Sequence, residues 1–257
     1  MNLFDPPEEL LQKDVEVAET TPKELSGTMG SSAFTGDYGR AMDLIDDTEH
    51  EVVELQDLCE RVFKKPRFTR VYVGDSGYGH PYLSPTNVGS LKPWYRQINN
   101  TSKGYISKKL HELSEYNVED GWILITRSGS VNLGSVFLAT EFLSEYFLTD
   151  DMIRVVPKED TLEGYLYAYL DSWVGRSIML HNEFGIGVDH INPGQIEDMP
   201  VILLPEEQRE EIHIDIRDAY SGREEFLNKD KSTVEATGDI VEILGKNRED
   251  ELEDFDF

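Results

Sequence analysis

Hydrophobic positions fall into a few short runs separated by long polar stretches. Phe68-Thr69-Arg70-Val71-Tyr72-Val73 alternates with the period of a strand and stops at Gly74-Asp75-Ser76-Gly77, a turn sequence. Trp122–Thr126, Val136–Ala139 and Met152–Val156 are continuous apolar runs that predict buried strands, the last stopped by Pro157. Met199–Pro205 predicts a further strand or extended segment. Helical spacing recurs in three places. Val52, Leu55, Leu58 and Cys59 predict a helix over Glu51–Arg61. Leu162, Tyr165, Leu166, Tyr169, Leu170, Trp173 and Val174 share one broad face and predict a long helix over Thr161–Leu180. A third helix opens at Pro205-Glu206-Glu207, where proline suits the first turn and acids suit its positive end. Its stripe of Ile212, Ile216, Ala219 and Phe226 resumes at Val234, Thr237, Val241 and Leu244. Short helices are expected at Pro7–Lys13 and Ser107–Tyr116. Tyr78 to about Ser107 reads as irregular, and Gly185-Ile186-Gly187-Val188 as a break.

These elements divide the chain into an acidic, partly disordered segment over 1–50, a β-rich domain over 51–205, a helical arm over 206–246 and an acidic tail over 247–257. The fold class expected is α+β, one β-rich domain with peripheral helices followed by a C-terminal helical arm. Hydrophobic residues make up 39% of the 257, enough for a sizeable core. The single cysteine, Cys59, allows no intramolecular disulfide and suits a reduced compartment. No apolar run approaches the roughly 18 residues that span a bilayer, and the first residues lack the pattern of a signal peptide. A cytoplasmic protein with no membrane partner is the expectation.

Charge changes the picture. The net charge of −27 argues at first against nucleic acid. Yet residues 61–130 hold 11 bases and 5 acids, a net +6 inside an acidic chain. Such asymmetry is what a polyanion-binding face needs. The surrounding acid fits either a high-salt cytoplasm or an interface for a basic partner.

Candidate chemistry of other kinds is thin. Asp5-Pro6-Pro7 is similar to the target-amine loop of amino-methyltransferases, but Glu8 stands where an aromatic is needed, and a proline-started helix is the simpler reading. His181, Glu183, Asp189 and His190 lie within ten residues, at a spacing that fits no standard metal motif. Ser128 and Ser130 miss a nucleophile elbow because Thr126 replaces its first glycine. No Walker loop, dinucleotide fingerprint or His-Glu-x-x-His occurs. No catalytic residue and no metal ligand is assigned. The strongest candidate is the basic, aromatic stretch from Lys64 to Asn132, which reads either as a nucleic-acid face or as an ordinary solvated face over an aromatic core.

Several segments, in order, resemble the specificity subunits of type I restriction–modification systems. Gly121-Trp122-Ile123-Leu124-Ile125-Thr126-Arg127-Ser128-Gly129-Ser130 is similar to their strand and Ser-Gly turn. Asp151–Pro157 followed by Gly164–Leu170 resembles their strand-then-helix unit, and Phe184–Ile191 the turn after it. Ile196–Ile212 resembles the segment leading into their spacer helix, and Arg67–Val73 the start of a recognition domain. The likeness covers roughly residues 52–225. It implies a non-catalytic, sequence-specific DNA-binding subunit with one target-recognition domain, where such subunits usually carry two. Its implied partners are double-stranded DNA, an adenine-N6 methyltransferase subunit, a restriction/translocase subunit, and itself or another half-specificity subunit. S-adenosylmethionine, ATP and Mg would then sit on partner subunits, with no cofactor on this chain. Within that frame Lys64, Arg70, Lys92, Arg96, Lys103, Lys108 and Lys109 are phosphate contacts. Tyr78, His80, Asn99, Arg127, Ser128 and Asn132 face bases or the groove. Ile212, Ile216, Ala219, Phe226, Val241 and Leu244 form the partner helix face. Two other readings remain open: an acidic DNA mimic or regulatory interaction protein, and a metal-dependent hydrolase around His181–His190.

Overall fold

In the computed structural model, residues 36–89, 91–93, 104–129, 132–181, 190–225 and 227 are described. In chain order they form helix α1 (Gly36–Asp46), strands β1 (Glu51–Glu54) and β2 (Cys59–Lys64), β3 (Tyr72–Val73), β4 (Gly79–Leu83), helix α2 (Pro85–Gly89), β5 (Tyr105–Ser107), β6 (Ile123–Thr126), β7 (Val136–Leu138), helix α3 (Glu141–Ser144), β8 (Phe147–Leu148), β9 (Met152–Pro157), helices α4 (Glu163–Asp171), α5 (Trp173–His181) and α6 (Pro193–Glu197), β10 (Pro200–Leu203), and a helix over 206–225, here α7. One antiparallel sheet has the order β2-β9-β6-β7. A second has the order β3-β5-β4-β8, with only β4 and β8 parallel, and β1 pairs with β10.

The apolar runs at 123–126 and 152–157 are continuous because the first sheet is covered on both faces. Side chains alternate across a strand. Ile123, Ile125, Ile153 and Val155 therefore enter one core, with Leu166, Leu170, Ile178 and Met179 of α4 and α5. Trp122, Leu124, Met152 and Val156 enter a second, with Leu83, Val88, Phe142 and Leu148. A third, aromatic cluster joins Tyr82, Ile106, Tyr116 and Phe147 beneath the second sheet.

Several expectations need correcting. The helix expected over Glu51–Arg61 is β1, a 3-10 turn over Leu55–Leu58 and β2. Its partners are distant: Val52 faces Ile202, and Val62 faces Val155. The long helix over Thr161–Leu180 is broken at Ser172, whose backbone is extended. The Ser172 hydroxyl donates to Tyr169 O (2.6 Å) and accepts Gly175 N–H (3.2 Å), ending one helix and starting the next. The stretch 78–107, read as irregular, contains β4, α2 and β5. The helix expected over Ser107–Tyr116 is a single 3-10 turn at Leu113–Glu115. The 1–50 segment contains α1, which puts Ala41 and Ile45 into the main core; Tyr38 stacks on His181 at 3.5 Å between ring centroids. The possible helix at Pro7–Lys13 and the break at Gly185–Val188 lie outside the described residues.

Helix α7 lies on its own domain. Ile216 packs against the main core, Tyr220 is buried within it, and Leu227 enters the second core. Polar contacts fix its register: His213 Nδ1 accepts Gly164 N–H (3.1 Å), Glu224 accepts Phe142 N–H (2.9 Å), and Arg217 reaches both Asp120 oxygens (2.8 and 3.2 Å). Gly164 makes this approach possible, since a Cβ there would stand 2.7 Å from His213 O. Of the expected partner stripe, Ile216 is therefore turned inward, Ile212 is half-buried and Ala219 is exposed. Phe226, Val241 and Leu244 lie outside the described residues. Cys59 is buried, and burial pushes its thiol pKa up to about 12 against the pull of Lys158, leaving it unreactive.

Candidate nucleic-acid interface

The expected contact residues separate into three groups. The first stands on the second sheet. Antiparallel pairing sets Tyr72 and His80 on either side of Ile106. Backbone bonds tie the flanking turns to it: Ser107 N–H to Val71 O, and Lys108 N–H to Tyr78 O, both 3.0 Å. Asp75 accepts Gly77 N–H (2.6 Å), closing the turn that carries Tyr78. The result is a patch in which Tyr78 is 69% exposed, Leu110 53%, Tyr72 47% and Val71 41%. Large apolar side chains this open are not core, and they sit among the exposed cations Arg70, Lys108 and Lys109. Lys108 Nζ donates to Ser76 O (2.9 Å). His80 points inward: its Nε2 bonds His111 O (3.1 Å) and its ring stacks on Phe147. Tyr72 and Leu110, absent from the expected set, belong to this patch; their sequence neighbours Val71, Val73, Lys109 and His111 are exposed or half-buried, so no alternation with buried positions marked them.

Arg70 is the most constrained cation of the patch. It lies over the Phe68 ring (5.2 Å to the centroid), pairs with Asp150 and hydrogen-bonds Tyr82. Burial works against its charge, but Tyr82 and Asp150 outweigh that and hold the guanidinium protonated more firmly than usual.

The second group follows β6. The Ser128 hydroxyl donates to Asp151 Oδ2, and Arg127 Nη1 lies 3.7 Å from Asp151 Oδ1. An isolated antiparallel bridge joins Ser128 to His190, and Ile191 N–H bonds Arg127 O (3.0 Å). Gly129 has φ +106°, a left-handed value that lets the chain leave the strand sharply after Ser128. Asn132 is half-buried, 3.4 Å from Thr86 Oγ1.

The third outcome is a removal. Lys92 is 7% exposed, and its ammonium bonds Asp171 Oδ1 and Oδ2 at 2.9 and 2.8 Å. It is an internal ion-pair partner and leaves the set of phosphate contacts. Lys64 is exposed on β2. Arg96, Asn99 and Lys103 lie outside the described residues, as do Glu183 and Asp189 of the metal reading. Among the described residues no group of three metal-ligating side chains gathers. A cleft of about 200 Å³ between the starts of α4 and α7 is lined by Lys158, Tyr165 and Arg209, and by none of the expected contact residues.

The model of the type I restriction modification DNA specificity domain matches residues 48–236. Similar solved structures include a chain from a study of assembly and conformational transition of the type I R-M system (15% identity, TM-score 0.45, 71% of this chain and 41% of that one). Others are the type I restriction–modification S subunit from M. genitalium (14%, 0.41, 66% and 38%) and the HsdS subunit from Thermoanaerobacter tengcongensis (14%, 0.42, 69% and 39%). The chain thus spans about two fifths of the length of these solved relatives. No curated protein matches. The family match takes in every strand described above and all the helices but α1, and the chain belongs to the family of type I restriction modification DNA specificity domains.

Proposed function

We propose that this chain is the non-catalytic, DNA-reading component of a type I-like restriction–modification system, supplying one recognition domain. The observation that carries the reading is the patch on the second sheet: exposed Tyr72 and Tyr78 among Arg70, Lys108 and Lys109, on a family-matched chain whose net charge is −27. Lys108, Lys109 and Lys64 contact phosphates and set the position of the duplex; they carry no sequence information. Tyr78, Arg127, Ser128 and Asn132 face the groove, where a guanidinium can take both guanine acceptors. Arg70, read from the sequence as a phosphate contact, joins them because Asp150 and Tyr82 hold its guanidinium in one place. Adenine methylation and cleavage belong to partner subunits, which would hold S-adenosylmethionine, ATP and Mg. A second copy, or another half-subunit, supplies the second recognition domain. Since Ile216 and Tyr220 face inward, pairing uses the outer side of α7, where Ile214 is 54% exposed.

Exchanging both Lys108 and Lys109 for alanine is expected to weaken binding to every duplex alike. It should reduce the slope of log affinity against log salt by about one to two, the loss of as many released counterions. The lower figure applies if Lys108 stays on Ser76. Titrating labelled duplexes between 50 and 200 mM salt (roughly the range where such slopes are resolved) measures it. A loss confined to one sequence would reassign these lysines to base reading. Absence of DNA binding by the chain, alone and with a methyltransferase subunit, would overturn the reading and favour the acidic-mimic alternative that the net charge supports.

A further inference from the structure

Two acids sit where the two arginine groups meet. Asp150 and Asp151 are consecutive residues between β8 and β9, and each addresses a different guanidinium. Asp150, its side chain 7% exposed, accepts from Arg70, which precedes the second sheet. Asp151, 30% exposed, accepts from Ser128 and faces Arg127, which leaves the first sheet. Backbone bonds hold the turn in place: Thr149 N–H to Leu83 O (3.2 Å), Arg127 N–H to Asp151 O (3.4 Å), and Asp151 N–H to Thr149 Oγ1 (3.1 Å). The turn is therefore the joint between the two sheets, β8 pairing with β4 on one side and β9 with β6 on the other.

We propose that Asp150 and Asp151 are specificity-determining positioning residues of the DNA interface, a role that rests on the function proposed above. A free arginine reaches any phosphate. One held by a carboxylate has lost most of its rotamer freedom before DNA arrives, and its charge is partly offset. A backbone phosphate on the wrong sequence gains little from it. A guanine edge with two correctly placed acceptors gains from the fixed fork. The acids thus suppress contact with incorrect duplex and preserve contact with the correct one.

The test uses the full chain. A randomised duplex pool is first selected for the preferred sequence. The preferred and a scrambled duplex are then titrated with the wild type, Asp150→Asn, Asp151→Asn and a control, Glu60→Gln, whose acid is exposed on β2. Both Asn variants are expected to hold or tighten their grip on the scrambled duplex and to lose discrimination by on the order of tenfold. Glu60→Gln should shift both duplexes alike. A purely structural role would weaken both duplexes in parallel, leaving their ratio unchanged. A ratio within about twofold of wild type in Asp151→Asn, the more exposed site and the variant less at risk of unfolding, would overturn the inference while leaving the function standing. Failure of the wild type to select any duplex would instead overturn the proposed function, and this inference with it.

Discussion

Replacing Lys92 by methionine is expected to cost the fold about 3–5 kcal/mol. DNA affinity should fall only as far as the folded fraction falls. The ammonium bonds both oxygens of Asp171 and lies 5.1 Å from the Phe137 ring centroid. Asp171 in turn accepts the Tyr167 hydroxyl (2.9 Å), Tyr167 is hydrogen-bonded to Tyr220, and Tyr220 accepts Leu138 N–H (3.4 Å). One polar chain thus ties the segment after α2 to α4, to α7 and to β7. Burial lowers the Lys92 pKa and raises that of Asp171, and each partner opposes the shift in the other. Removing the lysine leaves the carboxylate buried without its cation, the expensive half of a broken pair. Replacing Asp171 by leucine in the same protein should recover most of the loss, short of the about 1 kcal/mol for the Tyr167 bond. Urea midpoints of the two variants decide the matter. A stable Lys92→Met protein with a shallower salt dependence of DNA binding would restore Lys92 to the phosphate contacts.

Lys92 also marks where the sequence stopped being readable. Net charge over a window counts bases and says nothing of which are solvated, and Asp171 is 79 residues away. The strands at 123–126 and 152–157 were legible because both faces are buried and every position is apolar except Thr126 and Arg154. The segment Glu51–Arg61 misled for the opposite reason. Val52, Leu55, Leu58 and Cys59 are spaced as on a helix, yet Val52 and Cys59 belong to strands whose partners lie at 200–203 and 153–157, and Leu55 and Leu58 to the 3-10 turn between them. In a sheet-rich domain that long-range choice overrides local periodicity. α1 was hidden because, among its residues from 37 to 46, only Ala41 and Ile45 are buried. Of the residues named as DNA contacts from residue type and the family resemblance, Tyr78, Lys108 and Lys109 are exposed. Asp150 and Asp151 could not be singled out, because two more acids are no signal in a chain with 51. Only the fold reveals that they are the acids facing Arg70 and Arg127.

Arg154→Met is expected to destabilise the protein by at least about 2 kcal/mol, and to loosen the Asp150–Asp151 turn before the rest. Arg154 is fully buried in the middle of β9. Its guanidinium donates to Met152 O (3.2 Å), Tyr116 O (3.3 Å) and Thr149 O (3.3 Å). Burial draws its pKa down to about 10 against the pull of Tyr116 and Asp150. That penalty on the charge is about 3 kcal/mol, which methionine would remove. The Nε has no partner among the described residues, a further cost that methionine would relieve. Against these gains stand three charge-assisted hydrogen bonds, each about 1.5–3 kcal/mol. Tyr116 O would keep Leu148 N–H (3.2 Å), so the loss falls mainly on Thr149 and Met152. Those two carbonyls bracket Asp150 and Asp151: the buried arginine holds from behind the turn that faces exposed Arg70 and half-buried Arg127 in front. Amide exchange separates this local effect from global unfolding. The Arg127 and Asp151 amides, bonded within the turn, should lose more protection than the central amides of β6. Equal loss at all of them would make Arg154 a general core residue, and an unchanged urea midpoint would mean that its three bonds only offset the cost of burying the charge.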